Sequence, residues 1–276
     1  LPELTEEEMK SQLGDLGAKT TDELRAMALE KNLKNGIPPR RTELILELLT
    51  RAAEENDLLL GAGILDVMND GYGFLRQPSG TRGTGAQDIY VAQSQVRRFN
   101  LRTGDLVAGQ VQAPKDNERY YGLLRIEVVN GQSPDAARQR PRFEDMTPMF
   151  PEDRFTLTTT PKLYATRLID MVSPIGKGQR ALIVSPPKAG KTILLKQIAD
   201  GIAANHPDVH LLVALIGERP EEVTDMRRSI DGEVFSSTFD EPVEDHCRAA
   251  EVALDRAKRL VESGADVVIL VDSLTR

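Results

Sequence analysis

The 276-residue chain has a single cysteine, Cys247, so no internal disulfide framework is open to it, and a lone thiol fits a reducing compartment. By itself Cys247 reads as a small apolar residue on a helix. The three histidines, His206, His210 and His246, show no metal-ligand spacing among themselves or with Cys247, which argues against a zinc-type site. No apolar run approaches the roughly 20 residues that span a bilayer. Nor does a basic stretch followed by an apolar one open the chain, so neither a membrane partner nor a secretion signal is expected, and the expected compartment is the cytoplasm. Internal repeats are absent too. Aromatic residues are scarce, at 4% of the chain, which makes their placement informative.

Six of the twelve aromatics (Tyr72, Phe74, Tyr90, Phe99, Tyr120, Tyr121) fall within residues 61–130. The net charge of −8 argues against a general nucleic-acid binder, but it is spread unevenly. Residues 1–60 carry 8 basic and 13 acidic side chains, residues 61–152 carry 11 of each, and residues 153–276 carry 16 and 19. The aromatic third is thus the least acidic.

The remaining composition, 40% hydrophobic and 28% charged with 21 Gly and 16 Pro, is that of a globular protein large enough for two or three domains. Residues 1–57 read as a helical module. A short helix is expected over 6–13, a capped one opening at Thr21-Asp-Glu-Leu, and a third capped by Thr42 with Leu44, Ile45, Leu48, Leu49 and Ala52 at helical spacing, after a break at Gly36-Ile-Pro-Pro. From Gly61 the period changes to short β-like runs: Ile64-Leu-Asp-Val-Met, Gly73-Phe-Leu, Asp88-Ile-Tyr-Val, Asp105-Leu-Val-Ala-Gly-Gln-Val and Tyr120-Tyr-Gly-Leu-Leu-Arg-Ile-Glu-Val. Turn residues separate them, and five such runs over 61–130 predict a small barrel of the OB or cold-shock type. Residues 131–152, with four prolines and alternating charge, read as a linker. Over 153–276 strands and helices alternate, with strands expected at 181–184, 210–216 and 267–271 and helices at 191–204 and 243–262. That order predicts a parallel sheet covered by helices. The chain begins at Leu1 rather than Met and stops four residues after a strand-like run, so it is expected to be a piece of something longer.

The chemistry centres on Ser185-Pro-Pro-Lys-Ala-Gly190-Lys191-Thr192. A strand, a loop ending Gly-Lys-Thr and then a helix form a phosphate cradle: backbone N–H groups converge and the helix N-terminus adds its dipole. Lys191 brings positive charge to the β- and γ-phosphates of a nucleoside triphosphate, and Thr192 offers its hydroxyl to Mg²⁺. The general pattern asks for glycine at position 185, where this chain has serine. Asp272, after an apolar strand, is placed to hold the Mg²⁺ shell through water. Glu218, at the end of 211–216, can deprotonate an attacking water, with Glu221 and Glu222 as neighbouring competitors. Arg219 can reach phosphate or substrate oxygens.

The run Gly71-Tyr72-Gly73-Phe74-Leu75-Arg76 puts Tyr72, Phe74 and Arg76 on one face of a strand, with glycines leaving room for bases. Asp88-Ile89-Tyr90 and Glu118-Arg119-Tyr120 can lie beside it. Exposed rings beside a charged track are how such barrels hold single strands, and a carboxylate there would accept from a cytosine amino group. Any one of these rings could equally fill the barrel core.

Read together, GYGFLR, DIYV, QVRRFNLRTGD, ERYYGLL, SPIGKGQRALIVSPPKAGKT, GERPEEVTDM, STFDEP and VVILVDSLTR make the chain resemble the bacterial transcription termination factor Rho family over essentially its whole length. The serine at 185 is close to that family's own form of the loop. The resemblance implies a homohexameric, ATP- and Mg²⁺-dependent RNA translocase and helicase with a RecA-type ATPase domain, acting on nascent RNA and RNA polymerase. It assigns Gly71, Tyr72, Gly73, Phe74, Leu75, Arg76, Asp88, Ile89, Tyr90, Glu118, Arg119 and Tyr120 to a primary, pyrimidine-favouring RNA site. To ATP it assigns Gly176, Lys177, Gly178, Gln179, Arg180, Ala181, Lys188, Ala189, Gly190, Lys191, Thr192, Ile193 and Arg219, and it makes Glu218 the catalytic glutamate. Two other readings stay open: an RNA-binding module with an inert ATPase half, and a rotary-ATPase-type subunit sharing the nucleotide fold. The aromatic barrel argues against the last.

Overall fold

The structure is a computed structural model that describes residues 16, 19–31, 41–55, 59–76, 88–114, 119–186 and 189–275. The expected helix over 6–13, the Gly36 break and residues Glu118 and Lys188 lie outside the described residues. Those that are described form two compact units, one reaching Pro141 and the other starting at Arg142.

The first unit opens with α1 (Thr21–Glu30) and α2 (Arg41–Glu55). Thr20, one residue ahead of the expected start, closes a capping box: its hydroxyl accepts from the Glu23 N–H, and its own N–H donates to Glu23 Oε2 at 2.7 Å. Thr42 is not a cap. The helix already includes Arg41, and Thr42 is buried in its first turn. Leu24, Ala28, Leu44, Ile45, Leu48 and Leu49 share one apolar cluster with Ala108 and Val128 of the barrel. The helices therefore bury their faces on the sheet as well as on each other.

All five expected β runs are strands: β1 (Leu60–Val67), β2 (Gly73–Arg76), β3 (Ile89–Val91), β4 (Leu106–Gln112) and β5 (Tyr121–Val129). They close a barrel in the order β1-β2-β3-β5-β4, with β3 and β5 parallel and the other pairs antiparallel. A short α3 (Gln93–Arg98) joins β3 to β4, and the architecture is OB-like. Closure needs sharp bending, and β4 bends where its register with β5 shifts at Ala108/Gly109. A Cβ on Gly109 would stand 2.0 Å from the Arg125 carbonyl oxygen, so only glycine fits there. Leu65, Leu75, Ile89, Val91, Val107, Val111, Leu123 and Ile126 fill the interior.

The segment read as a linker is only partly one. Its first part forms α4 (Pro134–Arg138), capped by the Ser133 hydroxyl, and packs Ala137 into the barrel core. Beyond it, Arg140 Nη2 donates to Asp105 Oδ2 at 2.5 Å, and both side chains are buried. Asp105 also accepts from Asn130 Nδ2 at 2.7 Å and from the Arg102 N–H at 2.8 Å. Charge alternation reads as solvation in a sequence; here one of the charges has a buried partner 35 residues away.

The second unit continues through a 3₁₀ turn (Phe143–Asp145), α5 (Tyr164–Val172), α6 (Lys191–Asn205), β6 (His210–Glu218), α7 (Pro220–Ser229), β7 (Glu233–Thr238), α8 (Val243–Glu262) and β8 (Val267–Asp272). The three strands make a parallel sheet in the order β7-β6-β8. Leu195, Ile198 and Ile202 of α6 and Val223 and Met226 of α7 pack with Leu211, Val213 and Leu215 of the central strand. One expected strand is missing from the sheet. Residues 181–184 join no ladder, with Leu182 74% and Val184 83% exposed. Apolar residues can only become a strand beside a free edge, and the edges of β7 and β8 do not take up this segment. In the other direction, β7 was not expected, because Glu233-Val-Phe-Ser-Ser-Thr offers just two large apolar residues.

None of the described helices is long and apolar enough to cross a membrane. The Arg140–Asp105 pair yields a stability prediction. Arg140→Leu leaves a buried carboxylate without its ion partner and is expected to destabilise the first unit by about 3–5 kcal/mol. Urea unfolding followed by tyrosine fluorescence checks it, since four of the five tyrosines lie in that unit.

Candidate functional site

On the barrel, the alternation of β2 and β3 decides which side chains face out. Leu75 and Ile89 point into the core, so of the residues assigned to RNA these two offer backbone and not a stacking surface. Phe74 faces Tyr90 directly across the β2–β3 ladder. Four rings gather there: Phe74 lies 5.0 Å from Tyr120, 5.8 Å from Tyr72 and 6.0 Å from Tyr90, and Tyr72 lies 5.7 Å from Tyr90. None of the four belongs to the buried core, and Tyr90 is exposed. The Arg119 guanidinium lies over the Tyr120 ring at 5.8 Å. Arg76 Nη2 is held 3.2 Å from Asp66 Oδ2, a pairing the motif alone did not show. Asp88 sits half-buried just ahead of β3.

The glycines of the motif do not leave the room expected of them. A Cβ on Gly73 would strike Leu65 at 2.7 Å, and one on Gly71, at φ +83°, would meet the Gln93 amide. Open ground is provided instead by Gly122, which pairs with Tyr90 and whose added Cβ would meet nothing within 4 Å. Paired residues of parallel strands share a face, so the space lies beside the exposed Tyr90 ring. Its signal in the sequence was the glycine directly after Tyr120-Tyr121.

In the second unit, Gly190 takes φ +91° and caps α6, turning the loop into the helix. Lys191 Nζ donates back to the carbonyls of Ser185 at 3.1 Å and Pro186 at 3.2 Å, which holds the ammonium across the loop. Thr192 Oγ1 donates to Asp272 Oδ2 at 2.9 Å, across 80 residues of sequence. Asp272 is buried at the C-terminal end of β8. A neutral and an anionic oxygen side by side fit Mg²⁺, which takes one or two protein groups and completes its octahedron with water and phosphate. No cluster of three or more His, Cys, Asp or Glu that could hold a metal by itself occurs among the described residues.

Glu218 ends β6 and is buried. Leu215, three residues before it, stands opposite Asp272, so Glu218 and Asp272 share the same rim of the sheet. Arg219 follows as the exposed N-cap of α7, and with Gly217, Phe239 and His246 it lines a cavity of ≈ 450 Å³. Glu221 and Glu222 occupy the first turn of α7, where carboxylates favour the helix dipole.

Within the segment 176–181, Lys177 is not brought to this rim. Gly176 N–H donates to Gln179 Oε1 at 2.8 Å, closing a small turn, and Gly178 has φ +86°. Lys177 Nζ lies 2.5 Å from Asp266 Oδ2, and this hydrogen bond holds the ammonium above the usual lysine pKa. Asp266 precedes β8 whereas Asp272 ends it, and six residue steps along the strand separate the two by about 20 Å. Lys177 thus stands at the opposite end of the sheet from Thr192. Arg180 and Ala181 are exposed, as are Ala189 and Ile193 next to the loop.

Residues 61–135 match the family model described as "Rho termination factor, RNA-binding domain", and residues 165–276 match that of the "ATP synthase alpha/beta family, nucleotide-binding domain". The chain is 49% identical over 267 residues to the transcription termination factor Rho of Cereibacter sphaeroides, covering 96% of this chain and 63% of that one. To its namesake in Bacillus subtilis it is 52% identical over 237 residues, 86% of this chain and 55% of the relative. The Aquifex aeolicus protein is 47% identical over 266 residues, 95% and 61%. The chain spans about three fifths of the length of these curated relatives. With a ring-bearing OB-like barrel followed by a Gly-Lys-Thr loop in one polypeptide, the chain is similar over nearly its whole length to transcription termination factors of the Rho family.

Proposed function

We propose that this chain is the RNA-gripping and nucleotide-binding part of an ATP-dependent RNA translocase and helicase that terminates transcription on nascent RNA. The observation that carries the reading is the Thr192–Asp272 hydrogen bond, which joins the phosphate loop to the end of β8 in a chain that also displays four clustered rings. On this reading the second unit is a RecA-type ATPase domain. ATP lays its β- and γ-phosphates on the N–H groups around Gly190 and Thr192, and Lys191 leaves the Ser185 and Pro186 carbonyls for phosphate oxygens. Thr192 and, through water, Asp272 would hold Mg²⁺, which would neutralise charge on the phosphates. Glu218 accepts a proton from the attacking water, and Arg219 meets the phosphate from the neighbouring rim. Of the ATP segment, 189–193 and Arg219 fit this arrangement; Lys177 fits an anchoring role at Asp266.

On the barrel, bases stack on Phe74, Tyr90 and Tyr120, one of them over Gly122. Asp88 and Glu118 accept from exocyclic amino groups, which favours cytosine and so pyrimidine-rich single strands. By the family's pattern the working form is a cytoplasmic homohexamer that meets RNA polymerase.

A second reading, an RNA-binding module with an inert ATPase half, is favoured by one feature. The segment leading into the phosphate loop stands outside the sheet with Leu182 and Val184 exposed. ATP hydrolysis by the full-length protein, with and without cytidine-rich RNA, separates the two. The motor reading expects RNA-stimulated turnover that Lys191→Ala lowers by at least about a hundredfold; turnover indifferent to RNA or to Lys191 would contradict it. At the barrel, Phe74→Ala is expected to weaken binding of a single-stranded cytidine oligonucleotide by about 1–3 kcal/mol, roughly 5- to 150-fold in Kd. Unchanged affinity would remove Phe74 from the site.

A further inference from the structure

Strands β6 and β7 run in parallel register from Leu212 opposite Glu233 to Ile216 opposite Ser237, and then slip, so that the next pair is Glu218 and Thr238. Gly217 is the residue the ladder skips. It takes φ +64°, in the left-handed region that favours glycine. A bulge of this kind bends its strand and re-aims the side chain that follows. Here the side chain that follows is Glu218.

A skipped residue keeps its shape only if its backbone groups find partners elsewhere. The Gly217 N–H donates to Ser237 Oγ at 3.2 Å, and Ser237 is 1% exposed. The same Oγ lies 2.8 Å from Nδ1 of His246, in the first turns of α8. A hydroxyl carries one donor and two acceptor positions, so Ser237 Oγ can serve the Gly217 N–H and the His246 ring together. Just past the slip, the Phe239 N–H donates to the Glu218 carbonyl at 3.1 Å and closes the ladder again. The bulge is thus held from β7 and α8, and β7 flanks β6 on the side away from β8 and Asp272.

We propose that Ser237 and His246 are positioning residues for Glu218: they fix the Gly217 bulge that aims its carboxylate at the water attacking the terminal phosphate. This rests on the reading of Glu218 as the base in ATP hydrolysis. Neither residue touches substrate; both act through the backbone.

The test uses the full-length protein with RNA and separates kcat from KM for ATP. Ser237→Ala is expected to lower kcat by about ten- to a hundredfold with KM within about twofold, since a small misplacement of a reacting group costs rate rather than binding. Ser237→Thr keeps the hydroxyl and should recover most of the loss. His246→Asn puts Oδ1 where Nδ1 stands and should remain near wild type, whereas His246→Leu should fall with Ser237→Ala. Wild-type kcat in Ser237→Ala, or loss of ATP binding in step with kcat, would overturn the proposal. A crystal structure of Ser237→Ala adds a readout free of turnover: a shifted Glu218 supports the proposal, and an unmoved Gly217 and Glu218 overturns it. A wild-type protein without turnover would instead overturn the hydrolase reading, and the crystal structure would still decide whether Ser237 sets Glu218.

Discussion

In a parallel sheet every strand ends on the same rim, and this constraint assembles the candidate nucleotide site. Thr192 begins a helix, Glu218 ends the central strand and Asp272 ends an edge strand, yet all three arrive at one side of the sheet. The Thr192–Asp272 hydrogen bond records that convergence most directly, because it can form only if α6 and β8 both present their correct ends. Backbone N–H groups at the helix start and carboxylates at the strand ends then meet at one rim, the first suited to an anion and the second to a cation or a water. The same polarity explains why Lys177, anchored at the beginning of β8, lies far from the chemistry despite being close in sequence to the loop.

The barrel solves a different problem with period 2. Each short strand gives alternate residues to the interior and to the surface, so Leu75 and Ile89 fill the core while Phe74 and Tyr90 remain outside. Ring pairs 5.0 to 6.0 Å apart make a surface that is apolar yet not buried. Its use as a base platform needs open space beside a ring, and Gly122 supplies it. Buried ion pairing at Asp105 fastens the chain leaving the barrel, so the unit ends at Pro141 rather than at the last strand.

What was legible in the sequence is what local rules decide. The helix after the loop could be read because Gly-Lys-Thr at a helix start is a local arrangement, and at 185 it is the backbone carbonyl, not the side chain, that Lys191 meets. The five barrel strands could be read from alternation and turns. Illegible were features settled by partners far away in the chain. Strand β7 hides because Ser236 and Ser237 are satisfied by Arg227, Gly217 and His246. Residues 181–184 mislead in the opposite sense, being apolar enough for a strand without a ladder to join. The Gly217 bulge has no signature beyond a glycine before Glu218.

The claim that Thr192 and Asp272 act together on a nucleotide-bound cation is open to a double-mutant cycle. Calorimetric titration of ATP, with Mg²⁺ and with chelator, would compare the wild type, Thr192→Val, Asp272→Asn and the double variant. The structure predicts that each single change weakens MgATP binding far more than metal-free ATP binding. It also predicts that the double variant loses clearly less than the sum of the two. Equal losses with and without Mg²⁺, or strictly additive ones, would contradict a shared cation site at the rim of the sheet.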